Sequence, residues 1–223
     1  MKQKFIKGIL WLLVTVTGVF LIYKLFFWVD GTIETTQVSK DKAIVRFSET
    51  EMQQLQPGDI ILRRGYGFIS DMVARSFTNN GYEVTHAGIL INENNEWKVY
   101  HSLSSDVADK DGVQKQSLNT FLDHSYPDKL LVVRLKKFTT ETEHQLTTLV
   151  KAYEQAQIPF DKNGNYNDAS EMFCTEFIIQ VYGKDLKLLE LPENEQDKKD
   201  YYYSLSSLYD TLCFDKVINK FAK

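Results

Sequence analysis

The chain has 223 residues, of which 43% are hydrophobic and 25% charged, so it can bury a folded core and disorder is not expected. Its length suits one domain with an appendage, and its two cysteines cannot build a disulfide framework or a four-cysteine zinc site. Residues 1–30 carry a net charge of +3 and residues 31–223 carry −7, which argues against nucleic acid as a partner because phosphate-backbone affinity comes largely from Lys and Arg.

The first predicted element is a membrane anchor within residues 1–30. Residues 8–29 carry no charge apart from Lys24, and these 22 residues can cross a hydrocarbon core of roughly 30 Å as a helix. A cleaved signal peptide is the alternative, but the apolar run is long for one and no small-residue cleavage site follows Phe27. Three lysines precede the span, which predicts a single-pass protein of the cell membrane with its folded domain outside the cytoplasm.

A polar linker is predicted over residues 31–54, followed by a folded domain over 55–223. The hydrophobic periodicities and turn residues of this domain predict a further series of elements. In chain order they are a strand over 60–62, a helix over 68–77 ending at the NNG of 79–81, strands over 84–91 and 97–103, a short helix over 117–124, a strand over 129–135, a helix over 139–157 and a helix over 171–184 that closes at Gly183.

The predicted hairpin over residues 84–103 places His86 and His101 on neighbouring strands. A shift of one residue in the pairing would send the two side chains to opposite faces, because the side-chain period of a strand is 2. We predict a four-residue loop over 92–95 that pairs Ile91 with Glu96. This register sets His86 directly opposite His101 on one face of the sheet.

The C-terminal part is predicted to be a polar connector over 192–200 and an amphipathic tail. The tail has apolar residues roughly in helical phase: Leu205, Leu208, Leu212 and Phe221. Cys213 lies among them and is interpreted as a packed apolar thiol. A disulfide between Cys174 and Cys213 remains an open alternative.

Cys174 is the candidate nucleophile because it lies in the first turn of a predicted helix, with Ser170 or Asp168 as its cap. The unpaired N–H groups and the positive dipole end of a helix N-terminus stabilise a thiolate and can bind an oxyanion. Such sites lower the pKa of a cysteine to roughly 3.5–7.5. The alternative is a buried cysteine that acts as a small hydrophobic side chain.

The histidines complete a candidate catalytic site in which His86 takes the proton of Cys174 and His101 fixes the tautomer of His86. The same three residues could instead hold zinc with one open position, but no carboxylate or third histidine has short ligand spacing. The remaining polar candidates are expected to be surface or turn residues: His124, His144, Arg63 and Arg64. For the two arginines, recognition of an anionic group is the alternative.

The ordered segments LQPGDIIL, THAGI, VYH, IPFD and FCTEF, over about residues 55–185, resemble the YiiX/YaeF-like permuted papain-like amidases of the NlpC superfamily. The resemblance implies an α+β fold, a circularly permuted papain-like (NlpC-type) cysteine hydrolase, here with an N-terminal transmembrane helix. It implies Cys174 as nucleophile, His86 as base and His101 as the third polar residue. A histidine at this third position is closer to the lecithin:retinol acyltransferase-like branch.

Three acidic residues also match positions of this family: Asp59, Asp161 and Glu176. We expect them to be hydrogen-bonding residues of a turn, a loop and a helix terminus rather than chemical groups. No cofactor and no metal are expected.

The sequence therefore predicts a membrane-anchored thiol hydrolase of the cysteine amidase or peptidase type. It would cleave an amide bond of a peptidoglycan peptide, a lipopeptide or a similar substrate through an acyl-enzyme on Cys174. One alternative is a lipid acyltransferase or esterase that uses the same Cys-His-His site. The other is a binding module in which the thiol is inert.

Overall fold

The computed structural model describes residues 2–77 and 81–221, so the predicted helix end at 79–81 lies largely outside the described residues. The strands are β1 (Ile60–Arg63), β2 (His86–Glu93), β3 (Glu96–Leu103), β4 (Gly112–Ser117), β5 (Leu130–Leu135) and β6 (Phe214–Asn219). The helices are α1 (Lys2–Asp41), α2 (Glu49–Met52), α3 (Gly67–Phe77), α4 (Leu118–Asp123), α5 (Thr140–Gln155), α6 (Cys174–Ile179) and α7 (Glu195–Tyr203). A π-helix (Gln180–Asp185) continues α6, and a 3₁₀ helix (Leu205–Tyr209) follows α7.

The strands form one antiparallel sheet in the order β4-β3-β2-β1-β5-β6, which confirms the α+β fold class. Both faces of its centre are covered, because alternate residues of β1 enter two different cores. Ile60 and Leu62 join the larger core, which includes residues of α5 and α6. Ile61 joins the smaller core, which includes Phe121 of α4.

The structure contains two edge strands that were not predicted. β4 reads GVQKQS and has Val113 as its one large apolar residue, so its sequence has no hydrophobic alternation. The predicted helical tail is correct only for the 3₁₀ turn that begins at Leu205. Beyond this turn the prediction is wrong, because the chain forms strand β6. Leu212 is 83% exposed, so the apolar residues of the tail do not form one buried helix face. The tail pairs with β5 as strand β6 instead.

The hairpin of β2 and β3 has a two-residue turn, and the predicted four-residue loop is wrong. Ile91 pairs with Lys98, and Glu93 pairs with Glu96. Asn94 and Asn95 form the turn with φ values of 52° and 67°, the left-handed conformations of a type I′ turn, which asparagine tolerates. The register differs from the prediction by two residues, so the prediction that His86 is directly opposite His101 is wrong. The predicted common face of the two histidines is retained, because a shift of two residues keeps the side-chain parity.

Helix α1 has an exposed apolar segment that meets the requirements of a membrane span. Residues 6–41 form a helix long and apolar enough to cross a bilayer, with a mean hydropathy of 2.1 over its most apolar window, none of which is buried. The linker prediction is wrong over residues 31–41, because the helix continues to Asp41. The reason is packing: residues 27, 30, 31, 34, 38 and 41 are partly or fully buried, a spacing that forms one stripe along a helix.

Polar contacts join this stripe of α1 to the domain. Buried Asp30 accepts a hydrogen bond from the N–H of Phe68 at the start of α3. Glu34 lies 2.8 Å from Nδ1 of His124, so His124, whose side chain is 37% exposed as expected of a surface residue, also contacts α1. The hydroxyl of Tyr66 donates to Asp41 at 2.8 Å. The C-terminal part of α1 is therefore docked on the folded domain.

The turn of the hairpin gives a stability prediction. We expect Asn95→Ala to lower the free energy of unfolding by about 1 kcal/mol, because alanine disfavours positive φ. Asn95→Gly should cause no loss, since glycine accepts this conformation freely. Urea denaturation of the full chain in detergent micelles measures both, and equal effects of alanine and glycine would contradict the assigned turn.

Candidate active site

Two buried histidines meet on one face of the sheet. Nε2 of His86, the first residue of β2, lies 2.9 Å from Nδ1 of His101 in β3. His101 is 0% exposed. Gly88 makes room for the contact, because a Cβ built there would lie 3.2 Å from Cβ of His101 and 2.4 Å from Cγ1 of Val99. Two of the three predicted site residues, His86 and His101, are therefore in direct side-chain contact.

The environment keeps both imidazoles neutral at pH 7. Burial lowers the pKa of His86 well below its usual value near 6.5, and His101 and the charge of Arg63 lower it further. Burial and then Arg63 lower the pKa of His101 to about 3. One ring therefore donates the proton in the 2.9 Å hydrogen bond and the other accepts it.

Arg63 is a site residue that the sequence analysis interpreted wrongly as a decoration of a turn. It is the last residue of β1, pairs with His86 across the sheet and is buried. Its guanidinium lies 4.6 Å from the ring centroid of Phe121 and donates to the carbonyl of His124 at 2.6 Å. Its pKa falls to about 10 through burial, so it stays charged at neutral pH. The pairing of β1 with β2 was needed to identify it.

Cys174 is the first residue of α6 and is half-buried. Burial raises the pKa of its thiol, while the backbone N–H groups of Ala87, Thr175 and Cys174 itself and the charge of Arg63 oppose this. The expectation of a lowered pKa is therefore wrong, because desolvation of the thiolate outweighs the helix terminus. Both cysteines are free thiols.

Cys174 is close to the histidine pair because its thiol lies beside the backbone of β2. Its thiol lies near the N–H of Ala87, the residue that follows His86. Ser102, which follows His101, donates to the carbonyl of Met172 at 2.5 Å and fixes the segment that leads to Cys174. Within the described part of the chain, no hydrogen bond joins the thiol to either imidazole.

Glu176 forms the cap of α6, and the predicted caps Ser170 and Asp168 are wrong. Oε2 of Glu176 accepts from the N–H of Phe173 at 3.3 Å, whereas the N–H of Ser170 donates to Asp168 at 3.0 Å in the preceding loop. Burial raises the pKa of Glu176 to about 8, and the charges of Asp161 and Asp168 act in the same direction. Glu176 is therefore mostly neutral at pH 7 and matches its expected role at a helix terminus.

The other polar candidates hold turns and loops. Asp59 accepts from the backbone before β1 and pairs with an arginine of β5. Asp161 accepts from the N–H groups of residues 163–165. Arg64 is buried in an ion pair with Asp71 of α3 and is not a turn decoration. His144 is exposed, as expected, and α6 extends past Gly183 as a π-helix to residue 185.

His101→Gln is expected to reduce the loss of stability at low pH. Unfolded His101 binds a proton below about pH 6.5, whereas the folded residue stays neutral until about pH 3. The wild type therefore loses roughly 1.4 kcal/mol of unfolding free energy per pH unit below 6.5 from this residue, or about 2 kcal/mol at pH 5. Denaturation at pH 5 and 7.5 checks this, with exposed His144→Gln as control. A difference between the wild type and His101→Gln that does not change with pH would contradict it.

Glu176→Gln should stabilise the protein increasingly as the pH rises. The unfolded carboxyl ionises above about pH 4.5, whereas the folded one stays protonated until about pH 8, so the wild type loses stability across this window. We expect a higher thermal midpoint for Glu176→Gln than for the wild type at pH 8 and little difference at pH 4.5. Glu190→Gln, whose side chain is 95% exposed, is the matched control and should show no such trend.

Comparison with known proteins agrees with this architecture. Residues 54–204 match the sequence profile of the permuted papain-like amidase enzyme family, YaeF/YiiX, C92. The fold is similar to the crystal structure of the metalloprotein YiiX from Escherichia coli O157:H7, with a TM-score of 0.58 and 18% identity, covering 74% of this chain and 98% of that one. No curated protein matches the chain.

The histidine pair in this arrangement does not form a metal site. Nε2 of His86 and Nδ1 of His101 face each other at 2.9 Å and share a proton, so these two nitrogens cannot both direct lone pairs at one cation. Among residues 2–77 and 81–221, no group of three His, Cys, Asp or Glu side chains is arranged to hold a metal ion.

The family profile covers well over half of the chain, and the chain belongs to the permuted papain-like amidase family, the YaeF/YiiX or C92 family of papain-like hydrolases.

Proposed function

We propose that this papain-like hydrolase is a membrane-anchored cysteine amidase that cleaves an amide bond through an acyl-enzyme on Cys174. The observation that carries the proposal is the buried 2.9 Å hydrogen bond between His86 and His101. It occupies Nε2 of His86 and leaves Nδ1 as the nitrogen that can serve the thiol. A histidine oriented in this way by a third residue is the arrangement that activates a nucleophile.

The reaction would start from a neutral thiol and a neutral imidazole. As Sγ of Cys174 bonds to the carbonyl carbon, its proton passes to Nδ1 of His86, whose Nε2–H donates to Nδ1 of His101. The imidazolium then gives this proton to the departing amine as the C–N bond breaks. Water, deprotonated by His86, cleaves the thioester, releases the acid and restores the thiol. The N–H groups that surround Sγ are candidate donors to the oxyanion.

The substrate proposal follows from the anchor and its charges. Helix α1 would span the cell membrane through residues 8–29, with the lysines before it on the cytoplasmic side. The catalytic domain would then lie outside the cytoplasm, where peptidoglycan peptides, lipopeptides and lipids are within reach. Its net charge of −7 over residues 31–223 argues against nucleic acid.

A second candidate function is lipid acyl transfer or ester cleavage on the same three residues. The observation that favours it is the pair of exposed apolar side chains of α3, Phe68 and Met72. Phe68 stacks on Phe26 of α1, and the two side chains offer an apolar surface beside the proposed membrane. An acyltransferase would retain its acyl group until an acceptor is added, whereas a hydrolase would lose it to water.

The proposed mechanism is tested by acylating the full chain in detergent micelles with p-nitrophenyl acetate and mapping the acetyl group by mass spectrometry. We expect acetylation of Cys174, none in Cys174→Ser and no change in the control Cys213→Ser. His86→Gln should slow acylation by roughly 10²–10⁴-fold, the usual contribution of a general base.

The pH profile separates base catalysis from simple thiol reactivity. Because the pKa of His86 is lowered and that of Cys174 is raised, the wild-type rate should be flat between about pH 6 and 8. In His86→Gln it should rise roughly tenfold per pH unit, following the thiolate fraction. Equal labelling of both cysteines, or the same profile in both proteins, would favour the binding-module alternative.

A further inference from the structure

The two halves of α1 have different surroundings. Between residues 8 and 26 every side chain is exposed, and the one partly buried position is Gly18. From residue 27 onwards the stripe that faces the domain is partly or fully buried. The domain therefore begins at the level of α1 where the apolar segment ends.

Two parts of the domain reach this level of α1. The ring of Phe68 in the first turn of α3 stacks on Phe26, with centroids 6.5 Å apart. On the loop between β3 and β4, the side chain of Asp106 lies close to the hydroxyl of Tyr23. With Asp30 bound to the N–H of Phe68, these contacts hold α3 and the loop beside the last apolar turns of α1.

The level of these contacts corresponds to a membrane interface. If residues 8–29 cross the bilayer, residues 23–29 lie in the last 10 Å or so of the span, at a rise of 1.5 Å per residue. Lys24 and exposed Trp28 are residue types that position helices at headgroups. Any side chain packed against Phe26 is then at interfacial depth.

Two large apolar side chains of α3, Phe68 and Met72, are exposed near this depth, and Arg75 and Ser76 are exposed further along the helix. Phe68 is 50% exposed and Met72 is 61% exposed. They are four residues apart and so lie on one face of the helix. Large exposed apolar side chains that adjoin one another mark an interaction surface.

We propose that this α3 face, formed by Phe68 and Met72, docks into the interfacial region of the bilayer that α1 spans. The proposal rests on the proposed membrane anchoring. The bilayer is the partner because the face is continuous with the apolar half of α1 through the contact between Phe68 and Phe26. The catalytic domain would then lie against the membrane on its α3 side.

The test measures the depth of nitroxide labels on the full chain in phosphatidylcholine and phosphatidylglycerol vesicles. The background is Cys174→Ala with Cys213→Ser, and the probe position is Met72→Cys. Val19→Cys on exposed α1 is the bilayer reference. Leu212→Cys is the aqueous control, because Leu212 is 83% exposed and precedes β6 at the end of the sheet opposite Arg63. Collisions with oxygen and with a water-soluble nickel chelate report depth.

We expect the label at 72 to collide severalfold less with nickel and more with oxygen than the label at 212, in the direction of the label at 19. If 72 is as aqueous as 212 while 19 is in the bilayer, the docking face is wrong and the anchor stands. If 19 is aqueous as well, the anchoring and the docking both fail. Shielding of 72 from both reagents with dipolar broadening would indicate a second copy of the chain and overturn the proposal.

Discussion

A fixed positive charge beside two buried imidazoles is the constraint around which this candidate active site is built. Arg63, His86 and His101 come from three adjacent strands and surround the ring of Phe121. Burial disfavours a charged imidazole, and the guanidinium beside the two rings disfavours it further, so both rings are held neutral. The sheet register and the glycine opposite His101 serve this arrangement, because either ring displaced by one residue would leave the common face.

The helix that carries the thiol is adapted to the same neutral environment. An ionised carboxylate two residues after Cys174 would oppose formation of a thiolate, but burial keeps Glu176 mostly protonated at neutral pH. Its oxygen still accepts from the N–H of Phe173 and so caps the helix. The thiol, the two imidazoles and Glu176 are therefore mostly neutral at pH 7. In the proposed mechanism, charge would separate only when Sγ bonds to a substrate carbonyl group.

Much of this site could be predicted from the sequence, because its signals are local. The helix that begins near Cys174 and the common face of the two histidines follow from periodicity and strand parity. The turn length did not, since it depends on two asparagines adopting positive φ. Arg63 was interpreted as a turn residue because its role depends on which strands are neighbours. β4 and β6 were not predicted because edge strands need little apolar alternation. The continuation of α1 to Asp41 comes from packing against the domain, which a polar segment does not reveal.

In the proposed membrane-anchored enzyme, the continuous helix would also determine how far the candidate active site can reach. A flexible connection of 24 residues, as expected over 31–54, would have a root-mean-square end-to-end distance of roughly 25–30 Å. The domain could then move by about this distance relative to the helix. With α1 docked through Asp30, Glu34 and Asp41, the height of the thiol relative to the end of the proposed span would be set by rigid contacts. An anchored enzyme of this kind would diffuse along the membrane and reach only substrate bonds within a thin layer above its surface. A bond farther from the membrane, in a surrounding polymer, would stay out of reach of the thiol.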